Sequence, residues 1–231
     1  MTNKRLVLIS GPSGVGKGPI IEWTKQLYIP NLCQVKVRKT KTERHKGTED
    51  DLGLGKGDNF YQFDCRGVEQ RIHLDELDSA IEKQDVVLLE AYYKTHDFLK
   101  NRYDSSIDFA STFVSPLNLE EIKELAEQGK RLETYLPELM LDSLVRRAER
   151  DGKAFTRTLI KELEQRAEDS VNEMRFTHNY RQVIPNHIYE SDSRWKFPIL
   201  IGEPLRVVKS LKEIIKNGNS DYASNGEDFI I

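Results

Sequence analysis

The sequence is poor in cysteine. Its 231 residues include two, Cys33 and Cys65, far apart and without the spacing of a Cys-x-x-Cys pair or of a Cys/His ligand set, which excludes a disulfide framework and a zinc site of the usual patterns. That usage fits a reducing compartment, and the expectation is a cytoplasmic protein. Long apolar runs are also missing. The N-terminal one covers residues 6–9, too short for the core of a secretion signal, and no stretch approaches the roughly 20 apolar residues that span a bilayer, so no membrane partner is expected. Nor is there an excess of one charge: 35 Lys and Arg stand against 38 Asp and Glu, for a net charge of -3. No bulk basic field advertises nucleic acid, and no acidic block suggests a solvating tail. Internal repeats and long low-complexity segments are absent too. What remains is a chain long enough to bury one sizeable core with insertions.

One stretch stands out: Ile9-Ser10-Gly11-Pro12-Ser13-Gly14-Val15-Gly16-Lys17-Gly18. It follows the continuous apolar run Leu6-Val7-Leu8-Ile9, the pattern of a central parallel strand covered on both faces. It leads into a helix predicted over 19–28, with Ile20, Trp23 or Thr24, and Leu27 on one face. Strand, glycine-rich turn and helix in that order are the setting of a phosphate-binding P-loop. Its glycines let the backbone curl round an anion so that successive N–H groups and the helix N-terminus point at it, and Lys17 adds a mobile positive charge. The next position, commonly a Ser or Thr that binds Mg²⁺, is Gly18, followed by Pro19.

Downstream, residues 34–46 read as a short alternating strand running into a basic segment. Arg38, Lys41 and Arg44 recur there at every third residue and are read as a grip on the phosphate of a second, anionic substrate, with solvated surface cations as the bland alternative. Residues 47–58, with four glycines, predict a mobile loop. A strand is predicted over 59–64, a helix over 72–81, and a buried strand over 86–90 that ends in Glu90, a carboxylate suited to facing a metal and phosphates. Then come a strand over 109–115 and a helix from 119 with Glu120 and Glu121 in its first turn. Residues 127–144 are read as an extra helical hairpin. Arg146, Arg147 and Arg150 precede an amphipathic helix bearing Leu159, Leu163, Ala167, Val171 and Met174, flanked by Arg157, Arg166 and Arg175. Those arginines serve either as partners of neighbouring glutamates or as a lid over phosphates. Residues 182–186 predict the last core strand, with Asn186 at its carboxyl end where ligands sit in open α/β sheets. An apolar stretch over 197–201 that forms a small strand or a packing segment, a closing helix over 204–216 and a disordered tail over 217–231 complete the reading.

Taken together these segments resemble the guanylate kinase family of nucleoside monophosphate kinases. Leu8-Ile-Ser-Gly-Pro-Ser-Gly-Val-Gly-Lys17 is very close to that family's P-loop. Lys41 and Arg44 are similar to its two phosphate-gripping arginines. Arg147-Ala-Glu-Arg150-Asp-Gly, followed by Arg166 and then Glu173, resembles its arginine lid, and Tyr180-Arg-Gln-Val-Ile-Pro-Asn186 its last strand. The resemblance implies an α/β P-loop kinase fold, a parallel sheet flanked by helices, in one domain over 1–216. It places a small acceptor-binding insert at about 36–82 and an arginine-rich helical lid at about 127–175. It also implies ATP and Mg²⁺ as cofactors and phosphoryl transfer to GMP or dGMP. Lys17, Arg147, Arg150 and Arg166 would be catalytic, and Gly11 to Gly18 with Asn186 would bind ATP. Arg38, Lys41, Arg44, Gln62 and Glu90 would bind the acceptor, and Glu90 would approach the metal through water.

The middle of the chain departs from the pattern. Gln62 stands where a base-reading glutamate belongs, and Tyr92 where a second acid would follow Glu90. A carboxylate accepts two hydrogen bonds from guanine, whereas Gln offers one acceptor and a competing donor. A sugar phosphate such as ribose bisphosphate is therefore a second candidate acceptor, and a nucleotide-binding scaffold with little catalysis a third reading. Adenylate kinases also carry Gly after the P-loop lysine but follow it with Thr; here Pro19 removes that hydroxyl as well, leaving Mg²⁺ to nucleotide oxygens, water and Glu90.

Overall fold

The unbroken apolar run at the N-terminus requires cover on both faces, and Leu6, Val7, Leu8 and Ile9 are fully buried. The computed structural model describes residues 4–27, 29–40, 53–55 and 57–229. Lys41 and Arg44, with most of the glycine loop, lie outside the described residues. In chain order the elements are β1 (Arg5–Ser10), α1 (Lys17–Gln26), β2 (Leu32–Lys36), β3 (Arg38–Lys39), β4 (Phe60–Cys65), β5 (Val68–His73), α2 (Leu74–Lys83), β6 (Val86–Glu90), α3 (His96–Tyr103), β7 (Asp108–Ser115), α4 (Leu119–Glu127), α5 (Leu132–Arg150), α6 (Arg157–Arg175), β8 (Gln182–Pro185), α7 (Glu203–Asn217) and β9 (Ser224–Asn225). The architecture is mixed α/β, with a mostly parallel sheet flanked by helices. The chain divides into two units, Met1–Ile9 with Pro30–Ala110 and Ser10–Ile29 with Ser111–Ile231. Among the described residues no helix is long and apolar enough to cross a membrane.

In the first unit β2, β6 and β1 lie side by side and parallel, with Leu6 opposite Val87 and Ile9 opposite Glu90. The start of β7 joins them: the Asp108 N–H donates to Lys4 O at 3.0 Å, and Arg5 Nε donates to the Asp108 carboxylate at 2.8 Å. A smaller antiparallel sheet of order β3-β5-β4 occupies the region expected to form the insert. Its hairpin turns on Arg66 and Gly67, whose φ angles of 57° and 77° are both positive, as a two-residue turn matching the strand twist requires. Asp64 Oδ1 accepts from Gly67 N at 2.9 Å and closes it. Val68-Glu-Gln-Arg is polar, so β5 has no apolar signature in the sequence, and α2 begins at Leu74, after Ile72 and His73 have completed that strand.

In the second unit β7 and β8 pair parallel, from Thr112 opposite Gln182 to Ser115 opposite Pro185, and β9 adds an antiparallel edge. Helices α1 and α7 pack together, burying Ile20 and Ile21 of one and Val207, Val208, Leu211, Ile214 and Ile215 of the other. Helices α5 and α6 pack along each other, with Leu136, Met140 and Leu144 facing the same core as Leu163, Ala167 and Met174. Three expectations are corrected here. The hairpin expected over 127–144 is instead the end of α4 and one long helix, α5, which accommodates Pro137 inside it. Residues 197–201 form no strand; Leu200 is buried while Ile199 is 74% exposed. The tail is ordered through residue 229. Polar as it is, it carries one apolar anchor, Phe229, that is 1% exposed, and Gly226 fits so closely that a Cβ there would lie 1.9 Å from Tyr180 O.

Candidate functional site: the glycine loop and the arginines around it

The loop lies wholly in the second unit, between the end of β1 and α1. No side chain caps α1, no acid sits in its first turn, and Pro19 falls where its missing N–H removes no helix bond. The N-terminus of α1 thus draws no compensating group from its own first turn. Gly16 takes a left-handed φ of 98°, and a Cβ there would meet Asn186 Nδ2 at 2.7 Å and Ile188 O at 2.8 Å. Only glycine fits both the turn and the neighbour. Lys17 Nζ donates to Gly11 O at 2.6 Å and Pro12 O at 2.9 Å, so the ammonium is held over the turn it belongs to.

The segment after β8 is laced along the loop. Asn186 is fully buried; its Nδ2 donates to Val15 O at 2.6 Å and Ile188 O at 2.8 Å, and its Oδ1 accepts from Ile188 N at 3.2 Å. Four residues on, Glu190 N donates to Gly14 O at 3.1 Å. From the other side Ser143 Oγ of α5 donates to the same Gly14 O at 3.2 Å. Asn186, expected as an ATP contact, thus spends its amide on the backbone of the loop.

Three arginines gather here. Arg166 of α6, 7% exposed, donates through Nε to Ser13 Oγ at 3.0 Å and through Nη2 to the same oxygen. Glu162 lies 3.6 Å from its Nη1. Arg147, in the last turn of α5 where a cation suits the helix dipole, donates through Nη1 to Glu190 Oε2 at 2.5 Å. Arg150 donates through Nη1 to Glu190 O at 2.5 Å and through Nε and Nη2 to Asp151 Oδ1 at 3.1 and 3.0 Å. A lysine and three guanidiniums gathered at a glycine turn and the N-terminus of α1 are suited to binding and neutralising a polyphosphate.

No family model matches the chain, and no curated protein does. Among solved structures it is similar to guanylate kinase from Anaplasma phagocytophilum, with 12% identity over 75% of this chain and 87% of that one, at a TM-score of 0.41. The likeness is distant, and the chemistry of the site rests on its own residues.

Of the expected acceptor residues, Arg38, Gln62 and Glu90 belong to the first unit. Arg38 and Gln62 both stand opposite Arg71 of β5, a residue the sequence reading did not single out. Arg71 Nε donates to Gln62 Oε1 at 3.0 Å, and its guanidinium lies 4.1 Å from the centre of the Phe60 ring. Arg38 Nη2 pairs with Glu76, while its buried Nε has no hydrogen-bond partner among the described residues. Glu90 closes β6 opposite Ile9 and Lys36, at the carboxyl end of the parallel strands.

Two further residues of the second unit escaped the sequence reading. Glu190 was one acid among many, and nothing local marks it as the arginines' partner. His187 follows Asn186 directly, with Nδ1 2.7 Å from Glu203 Oε1 and Nε2 2.9 Å from Glu121 Oε2. Burial opposes its protonation, but the two carboxylates together outweigh that and hold the imidazole above its ordinary pKa.

Proposed function

We propose that the chain is an ATP-dependent phosphotransferase whose acceptor is a nucleoside monophosphate, converting ATP and GMP or dGMP to ADP and GDP or dGDP. The observation that carries this reading is the convergence of Arg166, Arg147 and Arg150 on the segments that line one glycine loop, through Ser13 and Glu190. Phosphoryl transfer asks little covalent chemistry of a protein; position and charge do most of it. On this reading Lys17 and the loop N–H groups hold the β- and γ-phosphates of ATP, and the three arginines offset the charge that spreads over the transferring group. Asn186 acts from behind, fixing the carbonyls of Val15 and Ile188 so that the loop keeps its curl. Arg38 binds the acceptor phosphate, joined in the expectation by Lys41 and Arg44.

Among the described residues no group of three or more His, Cys, Asp or Glu forms a metal site, and Gly18 brings no hydroxyl. Mg²⁺ would enter with ATP and supply charge neutralisation at its phosphates, with Glu90 the residue expected to approach it through water. The test is ADP formation from Mg–ATP across a panel of nucleoside monophosphates, with sugar phosphates in the same screen. GMP or dGMP is expected to give the highest kcat/KM, and transfer to no nucleoside monophosphate would sink the reading.

One observation favours a second acceptor. Arg71 Nε already donates to Gln62 Oε1 at 3.0 Å, taking one of that oxygen's two lone pairs, and the amide NH₂ cannot accept from guanine, so Gln62 matches the N–H edge of guanine less well than a carboxylate. ADP formation driven only by a sugar bisphosphate would select that alternative, and ATP binding without turnover on any acceptor would leave a nucleotide-binding module.

A further inference from the structure

We propose that Glu190 is an internal anion that competes with nucleotide phosphate for Arg147, so that this one carboxylate sets how tightly the glycine loop holds ATP. The inference rests on the phosphotransferase reading and names a determinant of affinity within that site.

Its basis is the way Glu190 is mounted. Glu190 N donates to Gly14 O at 3.1 Å, so the residue is tied by its backbone to the loop itself. Its carboxylate Oε1 lies 3.8 Å from where a Cβ on Gly18 would stand, beside the first turn of α1. The other oxygen, Oε2, accepts from Arg147 Nη1 at 2.5 Å, and the Glu190 carbonyl accepts from Arg150 Nη1, also at 2.5 Å. A negative charge is thus fixed at the helix N-terminus, within reach of the guanidiniums, which is where a phosphate would be drawn by the same forces.

The local charges complete the argument. Asp151 takes the remaining share of Arg150, at 3.0 Å, and lies 3.8 Å from Arg147. Two arginines are therefore balanced by two carboxylates. A phosphate binding here gains the arginines only by weakening those pairs, and its own charge is repelled by Glu190. The Arg147 and Glu190 side chains are 25% and 19% exposed, so solvent screens the contest only in part. Glu190 differs from Asp151 in being anchored to the loop, which makes it the carboxylate whose charge a loop-bound phosphate feels most directly.

The experiment is a calorimetric titration of the full chain with Mg–ATP, for wild type, Glu190→Gln, Glu190→Asp and the double variant Arg147→Gln/Glu190→Gln, each first checked for folding by circular dichroism. Gln keeps an oxygen acceptor for Arg147 and removes the charge, so E190Q is expected to bind Mg–ATP about threefold to tenfold more tightly. The gain should be largely lost in the double variant, which no longer has the arginine released by the change. Asp draws the carboxylate back by one methylene, and E190D should show a smaller gain. Unchanged or weaker binding by folded E190Q overturns the inference while leaving the phosphotransferase reading intact. If E190Q does not fold, E190D decides on the same terms: tighter binding supports the competition, and equal or weaker binding refutes it. Wild type that binds no Mg–ATP and forms no ADP refutes the parent reading, and the inference with it.

Discussion

Replacing Asn186 with Ala should loosen the glycine loop from behind, and the cost can be worked from its bonds. The side chain is fully buried and all its hydrogen-bonding is internal: two donations, to Val15 O at 2.6 Å and Ile188 O at 2.8 Å, and one acceptance, from Ile188 N at 3.2 Å. The two carbonyls at one end of the amide and the N–H at the other fix which way it points. Alanine takes the Asn186 partner from Val15 O and Ile188 N, at roughly 1–3 kcal/mol for each that stays dry, while Ile188 O keeps the donation from Trp195 Nε1 at 3.1 Å. Water entering the space of the lost carboxamide recovers part of this, so the expected net loss is about 3 kcal/mol. Asn186→Asp is the sharper perturbation. It sets a carboxylate oxygen against two carbonyl oxygens in a buried place, so it should destabilise more than Ala at neutral pH. Burial and the two facing carbonyl oxygens raise the Asp pKa in the folded state, so the stability deficit of N186D should shrink as pH falls through that raised value and protonation restores one donor. Urea unfolding of the three proteins at several pH values measures these differences, and titration with Mg–ATP reads the loop, where N186A should bind at least about tenfold more weakly. An N186A variant within about 0.5 kcal/mol of wild type and with unchanged ATP affinity would refute the idea that this side chain holds the loop in shape.

Gly11→Ala should be more damaging than a surface glycine replacement, because φ is 142° and the added Cβ would lie 2.3 Å from Val114 O, a backbone atom that cannot step aside. A loss above about 3 kcal/mol in urea unfolding is expected, and a near-neutral result would contradict the close approach. Gly18→Ser runs the other way: Gly18 has no left-handed φ, and the nearest atom to its Cβ position is Glu190 Oε1 at 3.8 Å. It should gain about 0.5 kcal/mol from helix propensity and place a hydroxyl beside Glu190, and a destabilised G18S would show the space to be misread. For His187 the folded pKa is raised above its unfolded value, so its pairing with Glu121 and Glu203 stabilises the fold fully below the unfolded pKa and fades as pH rises through the folded one. The stability difference between wild type and His187→Gln should therefore shrink from about pH 5.5 to pH 8, and a difference that does not change with pH would rule the pairing out as a source of stability.

The parts of this fold legible in the sequence are those whose cause is local. An apolar run with glycines after it specifies β1, the turn and α1, because burial on both faces and left-handed backbone are each written in consecutive residues. The same holds for β6, whose predicted bounds, 86–90, are those observed. Elements failed to appear where composition and role diverge. The polar strand β5 is sustained by pairing on both of its edges rather than by an apolar face, and the tail is held by the pairing of β9 with β8 and by the buried Phe229 after a polar approach. The hairpin at Arg66 and Gly67 was the missed cue, since a residue pair able to take positive φ between two short runs announces a two-residue turn.

The candidate site divides along the same line, and the division explains why its electrostatics were read too simply. Arg147 and Arg150 could be found as cations near a helix end and Arg166 as one within an amphipathic helix, and the partners Asp151 and Glu162 lie one or four residues away, within reach of any local reading. Glu190 is 43 residues from Arg147 and meets it only because the segment after β8 turns back along the loop through Asn186. A count of positive side chains therefore overstates the charge available to a phosphate, since one arginine is offset by a carboxylate that no spacing rule connects to it. If that pairing governs affinity, the arginines alone are a poor guide to nucleotide binding in this chain, and the distance from Glu190 to Arg147 is the better one.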